Sequence, residues 1–320
     1  MNSSSHAHNM SIRQRDQDAF NLSVIRMAVV LALGLIINYI NGTLIHTFRK
    51  HEVFPLLLLP FQIFYLNPRY ILFIHLVIND IIQLTTSITL LVLANIFYRI
   101  NVSLCCLILM FTIFTTFNTP LNLAVMAVEC YIAVCFPLRH TEFCTIKRTY
   151  IIIGWIWAMS VISALIDVFI VAATEPGRLF NNVIYCAKSN LFRHPVSLKK
   201  REVSYILCMI AVWLTIFYTY SKIFVAARAA KTTKTSSGDV KKARNTIVLH
   251  SFQLLLCMLT YVSHMIIKAM LTSFPKYSTE IIFISYIIVH VFPRLISPIV
   301  YGLRDKTFKQ YFKKYFKLFP

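Results

Sequence analysis

The sequence predicts an all-α membrane protein: a seven-transmembrane helix bundle followed by a short amphipathic helix. Three observations carry that prediction. The 320 residues are 58% hydrophobic and only 14% charged, with a mean hydropathy of +0.67. Soluble domains carry about 25% charged residues, so most of this surface cannot face water. The apolar residues also gather into runs that reach or exceed the roughly 20 residues a bilayer-crossing helix needs. Most of the charges fall between those runs, which is the spacing of a multi-pass chain.

Taken in order, residues 1–23 begin with the polar stretch "MNSSSHAHNMSIRQRDQDAF". It has no apolar core of the kind a cleavable signal peptide requires, and it reads as an extracellular tail. The bundle follows over 24–303, with spans near 24–47, 68–93, 103–135, 150–173, 203–229, 242–273 and 280–303. Backbone groups in lipid must be satisfied within their own segment, so each run is predicted to be a helix. The tail, 304–320, contains "DKTFKQYFKKYFKLF", which sets Phe308, Tyr311, Phe312, Tyr315, Phe316 and Phe319 on one helical stripe. Its other face is rich in lysine, the pattern of a helix lying on an anionic membrane surface. One stretch does not fit. "PLLLLPFQIF" at 55–64 is apolar but too short to span. It reads either as a real insertion or as a translated pyrimidine-rich splice-acceptor tract.

Charge fixes the expected orientation. Roughly 19 Lys and Arg follow the first, third and fifth spans or lie in the tail, against roughly 12 on the other side, and the richer side is the cytosolic one. The densest clusters are Lys231, Lys234, Lys241, Lys242 and Arg244, then Arg304, Lys306, Lys309, Lys313, Lys314 and Lys317. Glycosylation acceptors agree: Asn2, Asn9, Asn21 and Asn101 all fall on the opposite side, and only Asn41 lies inside a span. The N-terminus is therefore expected outside and the C-terminus in the cytoplasm of a plasma-membrane protein. A net charge of +20 in a soluble protein would point to nucleic acid. Placed between spans, it points to lipid headgroups and cytosolic partners instead.

The cysteines are spread too widely for a small secreted framework. Cys105, at the outer end of the third span, and Cys186, in the outer loop after the fourth, lie where a disulfide would persist. Cys106 is a rival for the same partner.

Three predicted cytosolic helix ends carry unusual polar residues: "MAVECYIAVCFPLRH" (126–140), "KKARNTIVLH" (241–250) and "PRLISPIVYGLR" (293–304). With these motifs the sequence resembles a vertebrate odorant receptor of the rhodopsin-like G-protein-coupled class, closest to the fish odorant receptor 131-2-like group. The third-helix signature of that family is met at Met126, Ala127, Glu129, Tyr131, Ala133, Val134, Cys135, Pro137, Leu138 and His140. Lys242, Ala243, Thr246 and His250 meet the sixth-helix signature, Tyr220 and Ile223 the fifth, and Pro293, Ser297, Pro298 and Tyr301 the seventh. Leu76 and Asp80 match in the second helix, and Cys105 stands at the family's spacing before Cys130 for the disulfide with Cys186. The resemblance implies a G-protein-facing switch built from Glu129, Cys130, Tyr131, Tyr220, Lys242, His250, Ser297, Pro298 and Tyr301.

The departures are as specific. Cys130 stands where the family has arginine, which leaves Glu129 without its neighbouring counter-charge; Arg139 or Lys242 is the expected substitute. Ser297 replaces an asparagine, and no proline lies between Lys242 and Phe274 to kink the sixth helix. Arg294 falls near mid-membrane, where a charge costs about 2.5–3.5 kcal/mol even on the lenient insertion scale and must face the bundle and pair. The resemblance places it by Asp80, where many such receptors hold sodium. The expectation is therefore a built-in Asp80–Arg294 pair in place of that ion; a pocket-facing arginine for an acidic ligand is the alternative, and Asp167 a lesser partner.

Ligand-pocket candidates in the outer half are Thr115, Thr116 and Asn118 on the third helix, Tyr261, His264 and Lys268 on the sixth, and His290 on the seventh. No hydrolase, phosphate-binding or metal-ligand motif occurs, so an enzyme is not expected, nor a cofactor or metal. The reading is an odorant receptor that binds a small molecule and activates a heterotrimeric G protein of the stimulatory olfactory type. A non-olfactory receptor or, more remotely, a transporter is the alternative; a transporter would carry internal repeats or broken helices.

Overall fold

The computed structural model describes residues 2–50, 68–97, 99–175, 177, 182–232, 262–263, 266–267 and 269–296, with side chains for most of them. Five long helices dominate: α1 (Asn2–Lys50), α2 (Pro68–Ile96), α3 (Val102–Cys135), α4 (Ile146–Thr174) and α5 (Pro195–Thr232). Apolar stretches of spanning length lie at Phe20–His46, Pro68–Leu93, Val102–Cys135, Ile146–Thr174, Pro195–Ala226 and Pro275–Ile296. These coincide with six of the seven predicted spans. Most of the sixth predicted span lies outside the described residues, as do the 55–64 stretch and the amphipathic tail.

Two boundaries differ most from the sequence reading. α1 takes in the polar N-terminal stretch, so the predicted tail is helical from Asn2. α5 starts at Pro195, eight residues before the predicted start at 203 (203 − 195 = 8). A proline in the first turn costs a helix nothing, because the N–H it lacks has no acceptor there. Pro68 opens α2 in the same way.

α3 is the most buried span and the one the others pack around. One cluster of buried side chains gathers Leu72, Leu76 and Val77 of α2 with Leu123, Met126 and Ala127 of α3 and Val212 and Ile216 of α5. A second joins Leu109, Ile113, Phe114 and Phe117 of α3 to Ala164 and Val171 of α4. In a bilayer such packing is held by close fit and by hydrogen bonds between helices, since lipid offers no hydrophobic gain. The hydrogen bonds are present. Asn79 Nδ2 donates to Thr115 O at 3.0 Å and Thr119 Oγ1 at 2.8 Å. Asn122 Nδ2 donates to Leu72 O at 2.9 Å, and Trp157 Nε1 to His75 Nε2 at 2.7 Å. At Gly34, α1 comes so near α2 that an added methyl would run into Ile88.

One end of the bundle is tied covalently. Cys105 and Cys186 form a disulfide, so Cys105 rather than its rival Cys106 makes the bond; Cys106 is a buried thiol. The two-residue strands β1 (Ile100–Asn101) and β2 (Val183–Ile184) pair antiparallel beside it, and Val102 N donates to Asn182 O. The loop after α4 is thus fixed to the start of α3 by a ladder and a covalent bond. Asn101 also caps α3, its side chain accepting from Ser103 N at 2.8 Å, the role Asn favours at a helix start.

At the opposite end, Pro137 prevents α3 from continuing past Cys135. The chain turns through a 3-10 turn (Pro137–Arg139) and a single helical turn (His140–Phe143) before Thr145 caps α4. That reversal brings His140 back against the last turns of α3.

Candidate functional site

Three polar clusters interrupt the apolar packing, one at each end and one in the middle. The first is built on Glu129, in the last turns of α3 and 4% exposed. The sequence leaves this carboxylate without a neighbouring counter-charge, and Arg139, one of the two expected substitutes, does not supply one. Arg139 sits on the exposed face of the turn, and Lys242 lies outside the described residues. Arg69 takes the role instead. Its position on the first turn of α2, set by Pro68, aims its side chain across to α3. Arg69 Nε lies 2.8 Å from Glu129 Oε2 and Nη2 3.2 Å from Oε1, a two-point clamp. His140 Nε2 stands 3.0 Å from Oε1. A guanidinium that meets both carboxylate oxygens is the strongest side-chain pairing available. The motif's cation is thus held on a different helix, 60 residues away in sequence.

Around this clamp stand the other predicted switch residues that the structure describes. Cys130 is buried at 5% exposure and takes part in no disulfide. The ring of Tyr131 meets Phe136 edge-on at 5.8 Å and Tyr218 of α5 at 6.0 Å. Tyr220 packs against the α2–α3–α5 core. Leu138, at the tip of the turn, is 96% exposed. His250, Ser297, Pro298 and Tyr301 lie outside the described residues.

The middle cluster surrounds Arg294, 3% exposed. The last described span carries a π turn over Ile287–Val291 just ahead of it, and Pro293 follows. A proline has no N–H for the carbonyl four residues back, which here belongs to Val289. Arg294 Nη1 donates to that carbonyl at 3.1 Å. Nη2 donates to Gln83 Oε1 at 2.5 Å, and Gln83 Nε2 donates on to Thr116 Oγ1 at 3.1 Å. Nε lies 3.8 Å from Asp80 Oδ1. The chain Thr116–Gln83–Arg294–Asp80 links α3, α2 and the last span. The predicted Asp80–Arg294 proximity is present, and Gln83 and Val289 are partners that sequence reasoning missed.

The third cluster lies toward the disulfide end. Asp167 of α4, 1% exposed, pairs with α5: Lys200 Nζ lies 2.9 Å from Oδ1, and Ser197 Oγ donates to the same oxygen at 2.8 Å. Lys200 also donates to Ser163 O. Asp167 is therefore not the partner of Arg294. A buried acid in a predicted span called for a cation, but the sequence reading began the fifth span after Lys200 and so missed it. At the same end, Arg26 of α1 binds Glu280 at 2.8 Å.

Of the pocket candidates, Thr115 and Thr116 return their hydroxyls to α3 carbonyls, donating to Phe111 O at 2.7 Å and Thr112 O at 2.6 Å. Asn118 is fully buried, and neither polar atom of its amide has a hydrogen-bond partner among the described residues. Tyr261, His264, Lys268 and the His290 side chain lie outside the described residues. Of the acceptor asparagines, Asn21 and Asn101 are exposed, while the side chains of Asn2 and Asn9 are not described.

The comparisons agree with this architecture. Residues 65–301 match the family described as 7 transmembrane receptor (rhodopsin family). The chain is 30% identical over 294 residues to "Odorant receptor 131-2" of Danio rerio, an alignment covering 90% of this chain and 85% of that protein. The matched stretch contains all three polar clusters, and the chain therefore belongs to the rhodopsin family of seven-transmembrane receptors, as a receptor and not an enzyme, with a fish odorant receptor among its relatives.

Proposed function

We propose that this chain is an odorant receptor of the plasma membrane. Its disulfide end faces outward to take a small ligand, and its Glu129 end faces the cytoplasm to engage a heterotrimeric G protein of the stimulatory olfactory type. The relative's name supports the ligand class. The uneven Lys and Arg count and the positions of Asn21 and Asn101 at the disulfide end support the orientation.

The observation that carries the coupling half is the Arg69–Glu129–His140 clamp. It restores a buried acid–base contact at the end of α3 without the arginine that Cys130 replaces. Ligand binding shifts a two-state bundle; here the resting arrangement holds the clamp and the active one opens it. Leu138, projecting beside the clamp, offers an apolar contact for the G protein. Asp80 and Arg294 act as a fixed charge pair, occupying the place where a mobile cation would otherwise sit.

The test is surface-normalised cAMP in cells supplied with an olfactory stimulatory G protein, comparing the native chain with Cys130→Arg across a broad odorant panel. The native chain is expected to respond. Silence from the native chain alongside a response from the arginine variant would show that the relocated clamp does not replace the missing residue. Silence from both, with both on the surface, would count against odorant reception through this G protein.

A further inference from the structure

We propose that Arg201 and Lys188 form an anion-recognition site at the disulfide end of the bundle, one that takes the carboxylate of a small organic acid. The inference rests on the receptor reading above and names the ligand class that reading leaves open.

Five basic residues crowd the start of α5 and the loop before it: Lys188, Arg193, Lys199, Lys200 and Arg201. Three acids lie near them, and two are already taken. Asp167 holds Lys200 and Ser197, and Glu175 binds Arg193 at 3.2 Å. The third, Glu202, is exposed to solvent. Among the described residues, neither Lys188 nor Arg201 has a carboxylate within 4.0 Å.

Yet the two cations lie at the same end of the bundle and neither is fully exposed. Lys188 begins the short turn two residues beyond the disulfide at Cys186 and is half-buried. Burial, and the positive charge of Arg201, push its ammonium down to about 8. Arg201 is half-buried, and its Nη1 is shut off from solvent with no hydrogen-bond partner among the described residues. Like charges near one another and partly withdrawn from water are costly unless a negative group joins them. A guanidinium with an unused N–H in a partly dry setting is the standard receptor for a planar carboxylate.

The adjoining surface fits the rest of such a molecule. One turn along α5 from Arg201 lies Tyr205, and its ring stacks on Phe117 of α3 with centroids 4.7 Å apart and planes 16° from parallel. Beside Phe117 in sequence is Asn118, the fully buried amide without a partner among the described residues. An acid with a short hydrocarbon body would place its head on Arg201 and Lys188 and its body against the aromatic pair. The pairing of charge with aromatic surface favours an organic acid over a bare inorganic ion.

The experiment uses the purified full-length receptor in neutral detergent. Thermal stability is followed against hexanoate, hexanol and sulfate, with chloride keeping ionic strength constant. Hexanoate is expected to stabilise the native chain saturably, sulfate more weakly, and hexanol not at all. Arg201→Gln and Lys188→Met should each weaken the hexanoate half-saturation at least tenfold, and each should be no less stable than the native chain without hexanoate. Equal shifts from hexanoate and hexanol would overturn the proposal. So would a native response retained in both variants, or no hexanoate response at all. Parallel cAMP measurements with neutral odorants separate the two readings. Signalling to neutral odorants without a hexanoate effect sinks the anion site and leaves the receptor; hexanoate binding with no signal to any ligand does the reverse.

Discussion

Arg69→Ala is the perturbation that bears most directly on the clamp. It removes two of the three contacts to the Glu129 carboxylate, at 2.8 and 3.2 Å, and leaves only His140 at 3.0 Å. Breaking a fully buried ion pair from one side costs about 3–5 kcal/mol, because the remaining charge is left without compensation. Glu129 keeps only 5% of its side chain exposed, but Arg69 keeps 27%. Solvent therefore already weakens the pair, and with His140 in place the expected loss is about 2 kcal/mol. If that loss falls on the resting arrangement alone, the equilibrium moves toward the active one by roughly 30-fold. The assay is basal cAMP per receptor at the cell surface, with thermal stability of the purified protein alongside. Glu129→Gln should also raise basal output, since an amide loses the charge pairing but keeps the shape. The double variant should cost less than the sum of the two, by about 1–3 kcal/mol. Native basal output and native stability in Arg69→Ala, or strict additivity in the double variant, would refute the clamp.

Three further outcomes follow from the other clusters. Because Arg294 already brings a cation to Asp80 at 3.8 Å, agonist affinity should not differ between sodium and potassium buffers. A sodium effect comparable to that of an added ligand would show that the arginine does not fill the place. Cys105→Ser or Cys186→Ser opens a link that closes 81 residues; the loss should be about 4 kcal/mol by chain entropy, measurable as a drop in surface expression and thermal midpoint. Leu138→Ala should reduce ligand-stimulated cAMP several-fold while leaving ligand affinity in membranes unchanged, since the side chain is 96% exposed and packs on nothing. An unchanged response would remove Leu138 from the coupling surface.

The legible parts of this molecule are those governed by short-range rules. Apolar length sets the spans, and the structure returns six of the seven where the runs stand. Arg294 was readable because an intramembrane charge has few options, and Asp80 was the acid at the same depth. Pairings between helices were not readable. Arg69 and Glu129 are separated by 60 residues, and no periodicity connects them. The available clue was negative, a buried acid whose neighbour had become a thiol. Asp167 and Lys200 were hidden differently. The sustained apolar run of the fifth span starts at 203, so by apolar length alone Lys199, Lys200 and Arg201 read as loop. A long lysine or arginine near a helix end can send its head along the helix to a partner while its stem lies in the apolar zone, and α5 has room for this because it begins at Pro195.

The seat of Arg294 also bears on how the chain is made. The ribosome delivers α1 and α2 to the membrane long before the last span, so Asp80 and Gln83 are in place when Arg294 arrives. An isolated helix carrying that guanidinium enters lipid against a penalty of about 2.5–3.5 kcal/mol. The carbonyl of Val289, released by Pro293, travels on the same helix and offers one acceptor from the outset. Gln83 and Asp80 offer the others only once the helix docks. Biogenesis thus has a built-in checkpoint, in which the final span settles only against a correctly placed second one. A chain misassembled at α2 would hold an unpaired arginine in the bilayer, a mark that quality control in the secretory pathway can read.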